Sequence, residues 1–99
     1  MLTRFEWDPA KAQANVRKHR IGFELAARVF ADPMALTVQD RVEQGECRWQ
    51  TLGLVEGQLV LLVAHTVRDD DDGAEVIRII SARRADPKER KRYAQNHSA

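Results

Sequence analysis

The sequence predicts an α+β domain of element order βαα-ββββ-α, with a mostly antiparallel sheet, two N-terminal helices and one C-terminal helix. Three observations predict it. Apolar residues recur at helical spacing before Asp32-Pro33, and from Ala35 to Ala82 the pattern changes to alternation and β-branched runs. A proline-led, strongly basic segment then closes the chain as a helix. With 99 residues and 43% hydrophobic content the chain suffices for one core, so residues 1–99 are expected to form a single domain.

The elements follow in order. Thr3, Phe5 and Trp7 alternate with Arg4 and Glu6, which reads as a short strand. Asp8-Pro9 opens a helix, an N-cap followed by proline at the first helical position, and the helix runs to about Lys18 or His19. Gly22 interrupts the pattern, after which Phe23, Ala26, Ala27 and Phe30 form the apolar stripe of a second helix, ended by Asp32-Pro33. Ala35 to Gln39 is a strand and the polar stretch Arg41 to Glu46 a loop. Cys47 to Leu54 and Gln58 to Val67 flank a Glu56-Gly57 turn and form a hairpin. Its second arm, Leu59 to Ala64, is apolar on both faces, the pattern of a central strand. Asp69 to Gly73 is a solvated acidic loop, Glu75 to Ala82 a strand, and Pro87 to about Gln95 the last helix, with Asp86 and Glu89 forming a capping box. Arg83 and Arg84 fall in the connection before that helix, beside backbone N–H groups that favour an anion.

Charge is distributed unevenly. The chain is +1 overall, but residues 1–20 sum to +3, residues 21–75 to −7 and residues 76–99 to +5. If the fold brings the two ends together they form a basic patch suited to a phosphate backbone. Solvated helix faces account for the same charges equally well. No Gly-rich phosphate loop or His-Glu-x-x-His is present, and Asp69 to Gly73 lacks EF-hand spacing, so no metal or cofactor is expected. Cys47 is the single cysteine and is read as a small apolar strand residue. The longest apolar run is too short to span a membrane and residues 1–7 lack a signal-peptide core, from which a cytoplasmic location is expected.

Metal-independent RNA cleavage by the neighbouring 2′-hydroxyl needs a base, an acid and cations around the phosphorane charge. Histidine is the side chain suited to proton transfer near neutral pH. His19 shares one helical face with Lys11, Asn15 and Lys18, at spacings i, i+4, i+7 and i+8. It has a second reading, as a cation closing the first helix. Arg68, Arg83 and Arg84 are the guanidinium candidates at strand ends, with Arg68 beside the Arg83/Arg84 edge; Arg78 ranks below them, because without a bulge it faces away from Arg83. Arg90 belongs to a basic helix face, Tyr93 either stacks on a base or packs in the core, and His65 reads as structural.

Phe5-Glu-Trp-Asp-Pro-Ala-Lys11, the stretch Asn15 to Ala26, His65-Thr66-Val-Arg68, Arg78-Ile-Ile-Ser81-Ala-Arg83-Arg84 and Glu89-Arg90-Lys-Arg-Tyr93 together resemble the BrnT toxin family. The resemblance implies a RelE-like fold and a ribonuclease toxin of a type II toxin–antitoxin pair that inhibits translation and growth. It also implies a BrnA-like antitoxin with a ribbon-helix-helix domain, which joins the toxin in a higher-order complex on promoter DNA. On that reading Arg68, Arg83, Arg84, His19 and Lys11 are catalytic candidates, and Lys18, Arg78, Arg90 and Tyr93 contact RNA. A noncatalytic, target-binding or co-repressor protein on the same scaffold is the alternative. Arg20 departs from the family, which commonly has glycine after the Lys-His pair; a left-handed helix end there would be strained.

Overall fold

The computed structural model describes residues 2–97. Its elements are β1 (Thr3–Glu6), α1 (Pro9–His19), α2 (Phe23–Ala26) running into a 3₁₀ segment (Ala27–Ala31), β2 (Leu36–Glu43), β3 (Glu46–Val55), β4 (Leu59–Asp69), β5 (Glu75–Arg84) and α3 (Pro87–His97). The five strands form one sheet in the order β1-β5-β4-β3-β2. β2–β3, β3–β4 and β4–β5 are antiparallel, while β1 lies parallel to β5, so the sheet is mixed. A parallel neighbour so distant in sequence leaves no local signature in a four-residue strand.

The helix ends follow their local chemistry. The Asp8 carboxylate accepts from the Ala10 amide at 2.9 Å, with Pro9 at the start of α1. At the other end Arg20 takes the left-handed conformation, φ 63° and ψ 24°, and its N–H donates to the Val16 carbonyl. The Asp86/Glu89 capping box closes reciprocally, each carboxylate accepting from the other residue's amide at 2.8–2.9 Å.

The stretch Arg41 to Glu46, expected as a loop, is instead the tip of the β2–β3 hairpin. Gln44 and Gly45, both at positive φ, make the turn. Arg41 and Arg48 lie within 3.1 and 3.4 Å of Glu43. Polar residues alternating across two exposed strands carry no hydrophobic periodicity, which is why the stretch reads as a loop. The second helix also differs, being one α-turn followed by a 3₁₀ turn whose Val29 packs over Gly53 of β3.

β4 is the central strand. Its odd-numbered side chains Leu61, Val63 and His65 face α1, α2 and the 3₁₀ segment, burying a core with Phe23, Ala26, Val29, Ile77 and Ile79. The even-numbered side chains emerge on the outer face, where α3 covers one end through Leu52, Leu62, Ala85 and Tyr93. The rest of the outer face is open.

Candidate functional site

A bulge in β5 decides which side chains share the open face. Thr66 pairs with Arg78 and Ala64 with Ser81, so the register shifts by one residue at Ile80. Arg78, Ser81 and Arg83 lie opposite Thr66, Ala64 and Leu62, alternate residues of β4, and therefore all point to the outer face. The simple parity that ranks Arg78 below Arg83 fails here because of that bulge.

β1 ends where Glu6 pairs with Arg78, which leaves the edge of β5 away from β4 without a strand neighbour from Ile79 to Arg84. α1 fills this place. The Asn15 amide acts as a surrogate strand, accepting from the Ala82 N–H at 3.0 Å and donating to the Ala82 and Ile21 carbonyls at 2.9 and 2.8 Å. Asn15 is buried, whereas Lys11, Lys18 and His19 on the same helical face reach solvent. With Ile80 and Ser81 they line a shallow groove of about 210 Å³. The constellation expected from helical spacing thus divides into an anchor and three cationic or titratable groups. Ser81 is the member that spacing does not reveal, since its place depends on the bulge.

The arginines are arranged differently from the sequence expectation. Arg83 and Arg84 are the last two residues of β5, not its connection to α3. Arg84 pairs with Leu61 and so points to the opposite face from Arg83. Arg68 lies opposite Val76, seven residues from Arg83 along β5, a separation of roughly 20 Å. Arg68 therefore does not adjoin the Arg83/Arg84 edge, and the three cannot enclose one phosphate. Arg68 instead neighbours Arg78 diagonally on the outer face.

Carboxylates hold most of these guanidinium groups. Arg83 makes a fork-to-fork pair with Glu89 at 2.8 and 2.9 Å, which lowers the Glu89 carboxyl below its usual range and raises Arg83. Arg68 donates to Glu6 at 2.7 Å, lowering the Glu6 pKa, and Arg78 donates to Glu46 at 2.9 Å. Arg90 donates to the Ala85 carbonyl at the start of α3. Tyr93 is 5% exposed, and its hydroxyl donates to Asp32, whose carboxylate also accepts from the Leu54 amide at 2.8 Å. Burial and that bond push the phenol up to about 12, and an enclosed ring cannot stack on a base. Tyr93 is a core residue.

His65 is also structural. It is 1% exposed, its Nε2 lies 2.8 Å from the Thr51 hydroxyl, and Phe30 meets the ring edge-on with centroids 4.8 Å apart. The acidic loop is tied down at the end of the sheet remote from the α1 groove: Asp70 accepts from Arg4 and from the Asp72 and Ala74 amides. Among the described residues no three His, Cys, Asp or Glu side chains converge to hold a metal ion. Among them, too, no helix is long and apolar enough to cross a membrane.

The family profile of the ribonuclease toxin BrnT, of type II toxin–antitoxin systems, matches residues 7–89, a span that takes in α1, the whole of β5 and the α3 cap. The chain belongs to the BrnT family. The fold agrees with the 1.1 Å crystal structure of the Brucella abortus ribonuclease toxin BrnT, at a TM-score of 0.65 and 24% identity over 87% of this chain and 99% of that one. No curated protein matches the chain. Membership in a type II toxin–antitoxin family implies a protein antitoxin as partner, and a ribonuclease toxin as the class of this BrnT chain.

Proposed function

We propose that this BrnT-family chain is a metal-independent endoribonuclease, a RelE-like toxin acting in the cytoplasm to inhibit translation and growth, and that RNA is cleaved in the groove between α1 and β5. What supports this reading is the groove itself, which Lys11, Lys18 and His19 line with Ser81. In this mechanism Lys11 and Lys18 hold the scissile phosphate and offset the charge that builds on it, and His19 moves a proton on the attacking or leaving oxygen. Arg78 and Arg83 flank Ser81 along the same face and extend the contact to the neighbouring backbone. Arg90 adds a generic positive charge, Arg68 lies too far along the strands to touch the groove's phosphate, and Arg84 points to the opposite face from Arg83.

The partner completing the pair is a BrnA-like antitoxin with a ribbon-helix-helix domain, assembled with the toxin into a higher-order heteromer on promoter DNA. The carboxylate partners of Arg68, Arg78 and Arg83 favour a second reading, a toxin that binds its target without cutting it. RNA cleavage by the purified chain, with and without EDTA, separates the two. Cleavage that persists in EDTA and falls on the order of 100-fold in the folded Lys11→Ala, His19→Gln double variant is expected. An unchanged rate in that variant removes the groove assignment, and activity lost to EDTA and restored by a divalent ion removes the metal-free mechanism.

A further inference from the structure

The sheet has two chemically opposite faces at the end left open by the helices. Arg4 and Arg68 both pair with Val76 on the outer face, and Arg78 follows two positions along. Glu46 reaches Arg78 on that face, so Arg48, two residues from Glu46 and paired with Arg41, also emerges there. The strand arginines of this end thus share one face. On the reverse, Phe5 and Val67 each pair with Ile77, and Cys47 pairs with Val42 on the neighbouring hairpin.

That reverse face is apolar and partly uncovered, with Phe5 37%, Val67 40% and Val42 62% exposed. Between the 3₁₀ segment and β1 it opens into a groove of about 330 Å³, floored by Ile77, walled by Phe5, Phe30 and Ala27, and bordered by Glu75. Asp69 pairs with Glu75 on the same face, and the turn of Asp70 to Asp72 continues from it. The groove lining contains no lysine, arginine or histidine. A phosphate backbone is repelled by such a rim, whereas an apolar side chain carried next to a cation satisfies both the floor and the border. The acidic middle of the chain, a burden for an RNA-binding protein, has its use here.

We propose that this acid-rimmed apolar groove is the anchor site for the antitoxin, and that it takes a basic amphipathic segment: an aliphatic or aromatic side chain enters between Phe5 and Phe30, and a neighbouring lysine or arginine meets Glu75 and Asp69. The proposal rests on the chain's reading as the toxin of a toxin–antitoxin pair, but not on the chemistry assigned to the α1 groove. The anchor lies on the opposite face from Arg78 and Ser81, so the segment that seats here does not itself fill the RNA groove.

The test measures affinity of the full-length chain for its cognate antitoxin, the two purified separately. Val67→Lys, beside the Ile77 floor, and, independently, Ala31→Lys, in the exposed groove lining, place a charge at the site without disturbing buried side chains; Glu75→Gln removes a rim charge; Arg41→Ala on the outer face is the control. Val67→Lys is expected to weaken binding about 10-fold or more. Glu75→Gln is expected to weaken it several-fold and flatten its salt dependence, and Arg41→Ala to leave it unchanged. Binding within twofold of wild type in both lysine variants overturns the proposal, as does a larger loss in Arg41→Ala. A wild-type chain that dimerises alone, with Val67→Lys monomeric and its antitoxin affinity intact, assigns the groove to a second copy of the chain instead. RNA cleavage by Val67→Lys is measured in parallel and is expected at the wild-type rate. Absence of cleavage in the wild type counts against the ribonuclease reading alone, since antitoxin binding is scored separately.

Discussion

Burial of His65 ties the stability of this fold to pH between about 4 and 6.5. Removal from water lowers the imidazole from its ordinary 6.5 to about 4, so the folded protein holds the ring neutral where the unfolded chain takes up a proton. The sign follows directly. Above pH 6.5 neither state is protonated and the contribution is nil; as pH falls from 6.5 towards 4 the unfolded state gains protons that the folded state does not, and stability declines. At about 1.4 kcal/mol per tenfold change in proton affinity, the complete loss is about 3 kcal/mol, of which about 2 kcal/mol falls between pH 7 and pH 5. The carboxyls of Glu6 and Glu89, held low by Arg68 and Arg83, stabilise the fold above the ordinary carboxylate range and lose that effect only at more acid pH. Urea denaturation from pH 7 to pH 5 should therefore show a marked fall in unfolding free energy. His65→Gln, which can keep a hydrogen bond to Thr51, should be less stable at pH 7 yet show a much shallower pH dependence. Equal slopes for the two proteins would refute the argument, because the proton uptake would then come from another group.

Three substitutions test how the rest of the scaffold is held. Asn15→Ala leaves the Ala82 N–H and two carbonyls without their partner and should cost about 3 kcal/mol in denaturant unfolding; a loss under 0.5 kcal/mol would remove its role as surrogate strand. Arg20→Gly relieves a left-handed residue that carries a Cβ and should stabilise by about 1 kcal/mol, visible as a raised denaturation midpoint. Gly53→Ala would bring a Cβ to 2.6 Å from the Val29 Cβ and 2.9 Å from its carbonyl oxygen. It should cost about 2 kcal/mol or more, with no rescue by Val29→Ala, because the opposing atoms are ones that alanine retains.

Features set by neighbouring residues were legible in the sequence. Asp8-Pro9, the Asp86/Glu89 box, the Glu56-Gly57 turn and the all-apolar centre of β4 each read correctly, because caps, turns and burial on both faces leave a pattern within a few residues. The strain at Arg20 was legible for the same reason. What escaped was decided between distant segments. The Ile80 bulge sits in Val76-Ile-Arg-Ile-Ile-Ser81, where apolar residues on both parities hide any slip in alternation. The Arg68–Arg83 separation follows from antiparallel register, which places the end of β4 against the start of β5. Lys11, Lys18 and His19 were visible as one helical face, but nothing local marked Asn15 as the buried anchor among them.

The bulge and the anchor solve one structural problem together, and the candidate site is their joint product. β5 loses its β1 neighbour after Arg78, and its next backbone groups need partners if they are to be buried. Asn15 supplies them at Ala82, which brings α1 against the strand and fixes where Lys11, Lys18 and His19 stand. The extra residue at Ile80 keeps Ala82 facing inward beside Asn15 while turning Ser81 and Arg83 to the side that Arg78 already occupies. Without the bulge, strict alternation from an outward Arg78 would present Ser81 and Arg83 to the helix core and Ala82 to solvent. The basic ends of the chain therefore meet because a backbone requirement draws α1 onto β5, and not through attraction between their charges, which are of the same sign and oppose the contact.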